Sequence, residues 1–274
     1  MTLTRCLNFL LLKVTTGFAM LAISTTQSLS LVDLVTLRNS PSSIPSDLPL
    51  SFPVAASVWS QDNSALFVAF PDSIHQYSSS GSYIDEIYSG VDSVSSLIVK
   101  DKGQVLIFSE SNKVQVLEYG SGAGKVTQTL ESHKSRINSL SLSNDSTLLA
   151  SVSSSAVHVH NLSLGSHTVL RGLPQASGQI RTCAFHPHSR TRLLLGMGQQ
   201  LLVYDTTRPS GPMKVIPIGD ASSGDIVELA CSPFSKTLIA VATSGGNVGL
   251  VDLDKEKGYV CPAIYGRDSF PTSL

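Results

Sequence analysis

A polar residue closes a short apolar-rich stretch at six places in this 274-residue chain, and the places are almost evenly spaced. They are Asp33, Ser78, Glu118, Asn161, Asp205 and Asp252, in LSLVD, IHQYS, VQVLE, HVHN, LLVYD and VGLVD. The steps between them are 45, 40, 43, 44 and 47 residues. Around Asn161 the unit can be read in full. Ile137 to Leu142 alternates apolar and small polar residues, the period of two of a half-buried strand. Asn144-Asp145-Ser146 is turn chemistry. Leu148 to Val152 is more continuously apolar, as a strand covered on both faces would be. Ser153-Ser154-Ser155 turns the chain again, and Ala156 to His160 reads as a third strand. One such sheet cannot bury both faces alone, so it needs copies of itself beside it.

A period of about 40–45 residues with four strands per unit is the spacing of a β-propeller blade. On these residues the chain resembles the WD40 family. Ser132-His133 stands where that family carries Gly-His. Tyr204-Asp205 and Val251-Asp252 stand for Trp-Asp, with His160-Asn161 and Leu117-Glu118 as weaker counterparts; no repeat keeps the Trp. The resemblance implies an all-β, WD40-like β-propeller with about six recognisable blades, incomplete because a seventh is missing. It also implies a hydrogen-bonded set of His, Ser or Thr, Asp and Trp tying strands together. His133 and Ser151 match the first two, and His160 falls at the Trp place. Ser111, Ser155 and Gly245 fall at or near the place of the absent Asp. The repeat positions singled out are therefore His133, Ser151, Asn161, Tyr204, Asp205 and Asp252.

Residues 1–19 read as an extension without a role in the fold, 20–258 as the propeller, and 259–274 as an irregular tail. Met20 to Ser24 and Leu29 to Val32 fall where the second and third strands of a first blade belong. A second reading of the same residues stays open. Ala22-x-Ser24 could precede cleavage of a signal peptide, although Lys13 interrupts the apolar run. The first blade lacks a convincing first strand and the sixth a clear fourth one, since Gly258 and Pro262 interrupt it. Asn39 to Pro53, with four prolines, reads as a loop between blades. An open ring would leave blade edges exposed and favour self-association. Trp59, the only Trp, ends a first strand and reads as core.

Charged residues make up 14% of the chain, against about 25% in an average soluble domain. The formal net charge of −1 provides no overall field for nucleic acid or an anionic membrane. The four Cys lack CxxC spacing and read as free thiols, those of Cys183 and Cys231 on first strands. His158-x-His160 places two imidazoles on one strand face, and His186-Pro187-His188 opens a turn. Neither has a third ligand in sequence, so no metal is expected. Gly120 to Lys125 (GSGAGK) fails the phosphate-loop pattern: Tyr119 stands at the wrong place and Val126 follows the lysine. No nucleophile elbow or catalytic set stands out, and the first strands carry few charged groups. Catalytic, cofactor-binding and metal residues are therefore none.

The order of LESHKSRINSLSL, VLRGLPQASGQIRTCAFHPHSRTRLLLG and ACSPFSKTLIAVATSGGNVGLVDLDKEK is similar to the γ-tubulin-complex-targeting WD-repeat proteins of microtubule-organising centres. That resemblance implies a cytoplasmic, non-enzymatic scaffold that binds other proteins, centrosome or spindle-pole components among them, without nucleic acid or a small-molecule substrate. The alternative is a secreted or membrane-anchored propeller binding module, with residues 1–24 as signal peptide.

Overall fold

A computed structural model describes residues 53–100, 104–120, 124–174, 178–218 and 224–255 with their side chains, and five further strands by backbone alone. The described residues are all-β and hold no helix. They divide into two compact units, Met1–Lys134 and Ser135–Leu274.

Each unit contains three four-stranded sheets, and in every sheet the strands pair antiparallel in chain order. In the first unit these are β1 (Asn8–Phe9), β2 (Met20–Ser24), β3 (Leu29–Asp33) and β4 (Ser46–Leu48); then β5 (Ala56–Trp59), β6 (Ala65–Ala69), β7 (Ser73–Ser78) and β8 (Tyr83–Ser89); then β9 (Val94–Lys100), β10 (Val105–Glu110), β11 (Lys113–Glu118) and β12 (Lys125–Leu130). The second unit holds β13 (Ile137–Leu142), β14 (Leu148–Ser153), β15 (Val157–Asn161) and β16 (Ser166–Val169); then β17 (Ile180–Phe185), β18 (Arg192–Met197), β19 (Gln200–Asp205) and β20 (Lys214–Pro217); then β21 (Ile226–Cys231), β22 (Leu238–Thr243), β23 (Val248–Asp252) and β24 (Lys257–Cys261). All six periodic polar residues are the last residue of a third strand. The repeated meander is WD40-like.

Three expectations need correction. Asn39 to Pro53 is not wholly a loop, because Ser46–Leu48 pairs with Leu29–Leu31. Residues 1–19 do contribute to the fold, since Asn8 and Phe9 pair with Ser24 and Ile23 and supply the first strand of the first sheet. The sixth sheet does have a fourth strand, which runs through Cys261 and pairs with Val248–Asp252. Gly258 weakens such a strand without preventing it, and Pro262 lies just past its end.

In the second to fifth sheets, second and third strands are buried on both faces. Along β18, Leu193, Leu195 and Met197 join one apolar cluster while Leu194 joins another. On β19, Leu202 and Tyr204 take the first cluster, Leu201 and Val203 the second. Successive strand residues point to opposite faces, so one strand serves two cores. In the first unit, Phe67, Ile74, Leu97, Leu106, Phe108 and Leu117 form a core shared by the second and third sheets. The sixth sheet differs. Its Ile239, Val241 and Val251 are buried, but Leu238, Val248 and Leu250 on the opposite face are 40–55% exposed.

First strands of neighbouring sheets in the second unit are joined by polar side chains. Asn138 Nδ2 donates to Ile180 O at 2.8 Å, and Phe185 N donates to Ser141 Oγ at 2.8 Å. The register shifts after the first residue of β13, β17 and β21, which leaves Asn138, Arg181 and Val227 as bulge residues. A bulge re-aims its side chain. Asn138 thereby reaches the next sheet, and Arg181 Nε lies 3.3 Å from Asp225 Oδ2.

Candidate interaction surface

Four of the polar residues that close third strands, Ser78, Asn161, Asp205 and Asp252, are turn caps. Asn161 Oδ1 accepts from Ser163 N at 3.1 Å and from Leu164 N at 3.0 Å. Asp205 Oδ1 accepts from Thr207 N at 3.0 Å and Thr207 Oγ1 at 2.7 Å. Asp252 Oδ1 accepts from Asp254 N at 3.1 Å, and Ser78 Oγ from Ser82 N at 3.0 Å. Each side-chain oxygen takes the N–H that a turn leaves without a backbone partner. That geometry is why a short polar residue recurs at the end of the third strand.

The residues at the Trp place point inward. Tyr204 is fully buried, and its hydroxyl donates to Arg171 O at 2.9 Å; burial pushes its pKa up to about 12. His160 Nε2 lies 3.1 Å from Ser151 Oγ, a buried contact between β14 and β15. His133 is buried, and its carbonyl accepts from Asn112 Nδ2 at 3.0 Å. Trp59 packs against the cluster of Leu66, Val68, Phe70 and Tyr77.

A second cap, one that sequence reasoning registered only as turn chemistry at Asn144-Asp145-Ser146, lies between first and second strands. Asp62 Oδ1 accepts from Ser60 Oγ at 2.6 Å, Ser64 Oγ at 2.8 Å and Ser64 N at 3.1 Å, while Ser60 Oγ accepts from Ala65 N. Asp145 repeats the arrangement with Ser143 and Thr147 at 2.6, 2.8 and 3.1 Å. Asn63 and Ser146 follow at φ 58°, the left-handed region. The signal that could have found it is the pattern Ser-x-Asp-Asn/Ser-Ser/Thr, at 60–64 and again at 143–147. Ser60 and Ser64 hold the Asp62 carboxyl at about 2, down from 3.8. A folded-state value below the unfolded one stabilises the protein above the unfolded value, and that contribution is lost as pH falls through the folded one. Between pH 3.8 and about 2, stability should therefore fall more steeply in the native chain than in Asp62→Asn, whose amide oxygen still accepts the same bonds. Urea midpoints recorded across this range check it; parallel acid limbs would contradict it.

The histidines arrange differently from the two separate pairs read in sequence. The rings of His158 and His160 stack 6.1 Å apart, and His167 of β16 stands 5.5 and 5.6 Å from them. Sequence spacing missed this third imidazole because its approach depends on the pairing of His160 with His167 across strands. Burial, with His167 nearby, lowers the pKa of His158. Even so, no group of three His, Cys, Asp or Glu among the described residues is placed to hold a metal ion. His186 and His188 shape a turn, with His188 N donating to His186 Nδ1 at 3.2 Å.

Gly124-Lys125 leads into β12, a strand and not a helix, and residues 121–123 lie outside the described part. Cys183 and Cys231 are free, and burial pushes both thiols up to about 12; the side chains of Cys6 and Cys261 lie outside the described residues. On β21, burial raises the pKa of Glu228. A cleft of about 290 Å³ in the first unit is lined by Ser60, Ser64, Gln76, Gln104 and Tyr119 among others.

With polar groups spent on turns, exposed apolar side chains stand out. Phe234 is 87% exposed on the turn after β21, and Leu164 77% on the turn after β15. On β8, Tyr83 and Ile84 are 57% and 51% exposed, beside Asp85 and Glu86.

Fold and turn chemistry thus define an all-β repeat protein of the WD40-like kind. No protein-family model matches the chain. A stretch of 82 residues is 32% identical to the protein transport protein SEC31 of Yarrowia lipolytica. The match covers 30% of this chain and 7% of that protein's length.

Proposed function

We propose that this chain is a non-enzymatic protein-interaction scaffold of the cytoplasm. The supporting observation is the division of side chains. Asp62, Asp145, Asp205, Asp252 and Asn161 are engaged in turns, while Tyr83, Ile84, Leu164 and Phe234 face solvent. A rigid sheet framework with aromatic and aliphatic groups on its surface suits docking of proteins.

Two partner classes compete within this reading. The order of sequence segments supports γ-tubulin complexes at a microtubule-organising centre. The 82-residue likeness to a protein transport protein supports a component of transport machinery. Affinity capture of the tagged chain, followed by reconstitution with the purified partner, tests the proposal. A stoichiometric complex with a protein is the expected result, and the identity of that protein selects between the classes. Turnover of a substrate that is lost on a single substitution, or recovery of lipid or nucleic acid alone, would overturn it.

A further inference from the structure

Among the described residues, the second sheet carries the one surface where aromatic packing, exposure and charge agree. Register places His75 opposite Glu86 and Tyr77 opposite Tyr83 on β7 and β8, so these four share a face. His75 Nε2 is 3.5 Å from Glu86 Oε2. The Tyr83 ring stands nearly perpendicular to those of His75 and Tyr77, at centroid distances of 5.5 and 5.9 Å. Phe70 backs His75 at 4.9 Å. The inner rings are held by the core, since Tyr77 is 7% and Phe70 2% exposed. Tyr83 is therefore an aromatic group fixed on a packed base with more than half of its surface in water, which lowers the entropy cost of using it as an anchor. Register shifts on both sides of the His75–Gln76 segment bend this end strand and leave Ile84 outside the pairing. Bulges discourage pairing of another strand along such an edge, so recognition here falls to side chains.

Charge decides what those side chains would hold. From Asn39 to Val99 the chain contains Asp47, Asp62, Asp72, Asp85, Glu86 and Asp92, and neither a lysine nor an arginine. The whole chain is nearly neutral, with 19 basic and 20 acidic residues. The negative charge is therefore local to this part of the sequence, and of the two carboxylates next to the exposed tyrosine in sequence Glu86 shares its face, whereas Asp85, opposite Gln76, belongs to the other face. A ring face attracts a cation, and a carboxylate alongside adds direct ion pairing. Ile84 offers apolar contact to the aliphatic stem of the guest side chain.

We propose that the Tyr83–Glu86 edge of the second sheet is a docking site for an arginine- or lysine-bearing extended segment of a partner protein. The basic head lies on Tyr83 and pairs with Glu86, and the stem rests on Ile84. The inference rests on the scaffold reading and gives it a partner chemistry.

The test uses the full chain and fluorescein-labelled peptides of alternating arginine and serine, the same peptide with lysine, and the same with glutamate, read by anisotropy. The basic peptides should bind with an affinity that falls as salt rises, and the acidic one should not. Tyr83→Ala should weaken binding about tenfold and Tyr83→Phe much less, as expected for an aromatic anchor. Glu86→Lys should exchange the preference, so that the acidic peptide binds. Thermal melts of the variants verify folding, which the exposure of Tyr83 favours. Equal affinity for basic and acidic peptides, binding unchanged by Tyr83→Ala, or no binding at low salt would each overturn the proposal. If the peptides fail while a reconstituted protein partner still binds, the inference falls and the scaffold reading stands. If the peptides bind and no protein partner can be reconstituted, the scaffold reading is the one that fails.

Discussion

Gly172→Ala should destabilise the second unit by about 3 kcal/mol or more, as the sum of a left-handed backbone penalty and lost hydrogen bonds. Gly172 lies between β16 and β17 with φ +67°. A Cβ there would fall 2.5 Å from Ser210 O and 2.9 Å from Gly211 Cα, both backbone atoms that no rotamer change can move. The two segments must therefore separate. Their contact carries Arg171 N donating to Pro209 O at 2.7 Å, and Arg171 O accepting from the Tyr204 hydroxyl at 2.9 Å. Breaking it also leaves a buried tyrosine hydroxyl unsatisfied, and such groups are costly. Gly165→Ala is the matched comparison. It has φ +65° but nothing within 4 Å of its added Cβ, so only the backbone penalty of about 1 kcal/mol applies. Urea unfolding of both variants separates the two costs, and equal losses would show that the Gly172 contact contributes little.

Phe108→Ala should cost about 3–5 kcal/mol, the range for a fully buried aromatic replaced by a methyl group. Phe108 is 0% exposed in the middle of β10. It belongs to the core shared by the second and third sheets of the first unit, with Tyr88 at a ring distance of 5.8 Å. Residues around it are held by ladder bonds on both sides of β10, so the space cannot close by collapse. Phe108→Leu, which retains most of the volume, should lose far less. Denaturant midpoints again provide the measurement. A loss below that of Phe108→Leu would place Phe108 outside the load of the core.

The surface variant Tyr83→Ala sets the scale from the other side. It removes a ring more than half exposed, and substitutions of that kind stay within about 0.5 kcal/mol. A large loss of peptide binding with little loss of stability is what distinguishes a docking residue from a framework residue.

Legibility in the sequence followed the range of the forces involved. Four of the six phase residues, Ser78, Asn161, Asp205 and Asp252, were readable because each closes a turn within its own few neighbours, as Asn161 does with Ser163 and Leu164. Second strands were readable because burial on both faces demands unbroken apolar runs such as Leu193-Leu194-Leu195. Fourth strands were harder. β16 is exposed at all four positions and β8 at its first four, so neither carries the alternation that burial imposes. Strands like β4 and β24 exist because a neighbour offers its backbone ladder, which no local pattern records.

By itself, the sequence determined the repeat, the all-β class and the turn chemistry that spaces the strands. These are local consequences of side chains acting on the backbone within a few residues. Only the tertiary structure decided which groups meet across strands and sheets: the bulge that aims Asn138 at Ile180, the third histidine beside His158 and His160, and the exposed tyrosine that shares a face with Glu86. Those depend on register, where a shift of one residue reverses every side chain, and register is set by partners distant in sequence.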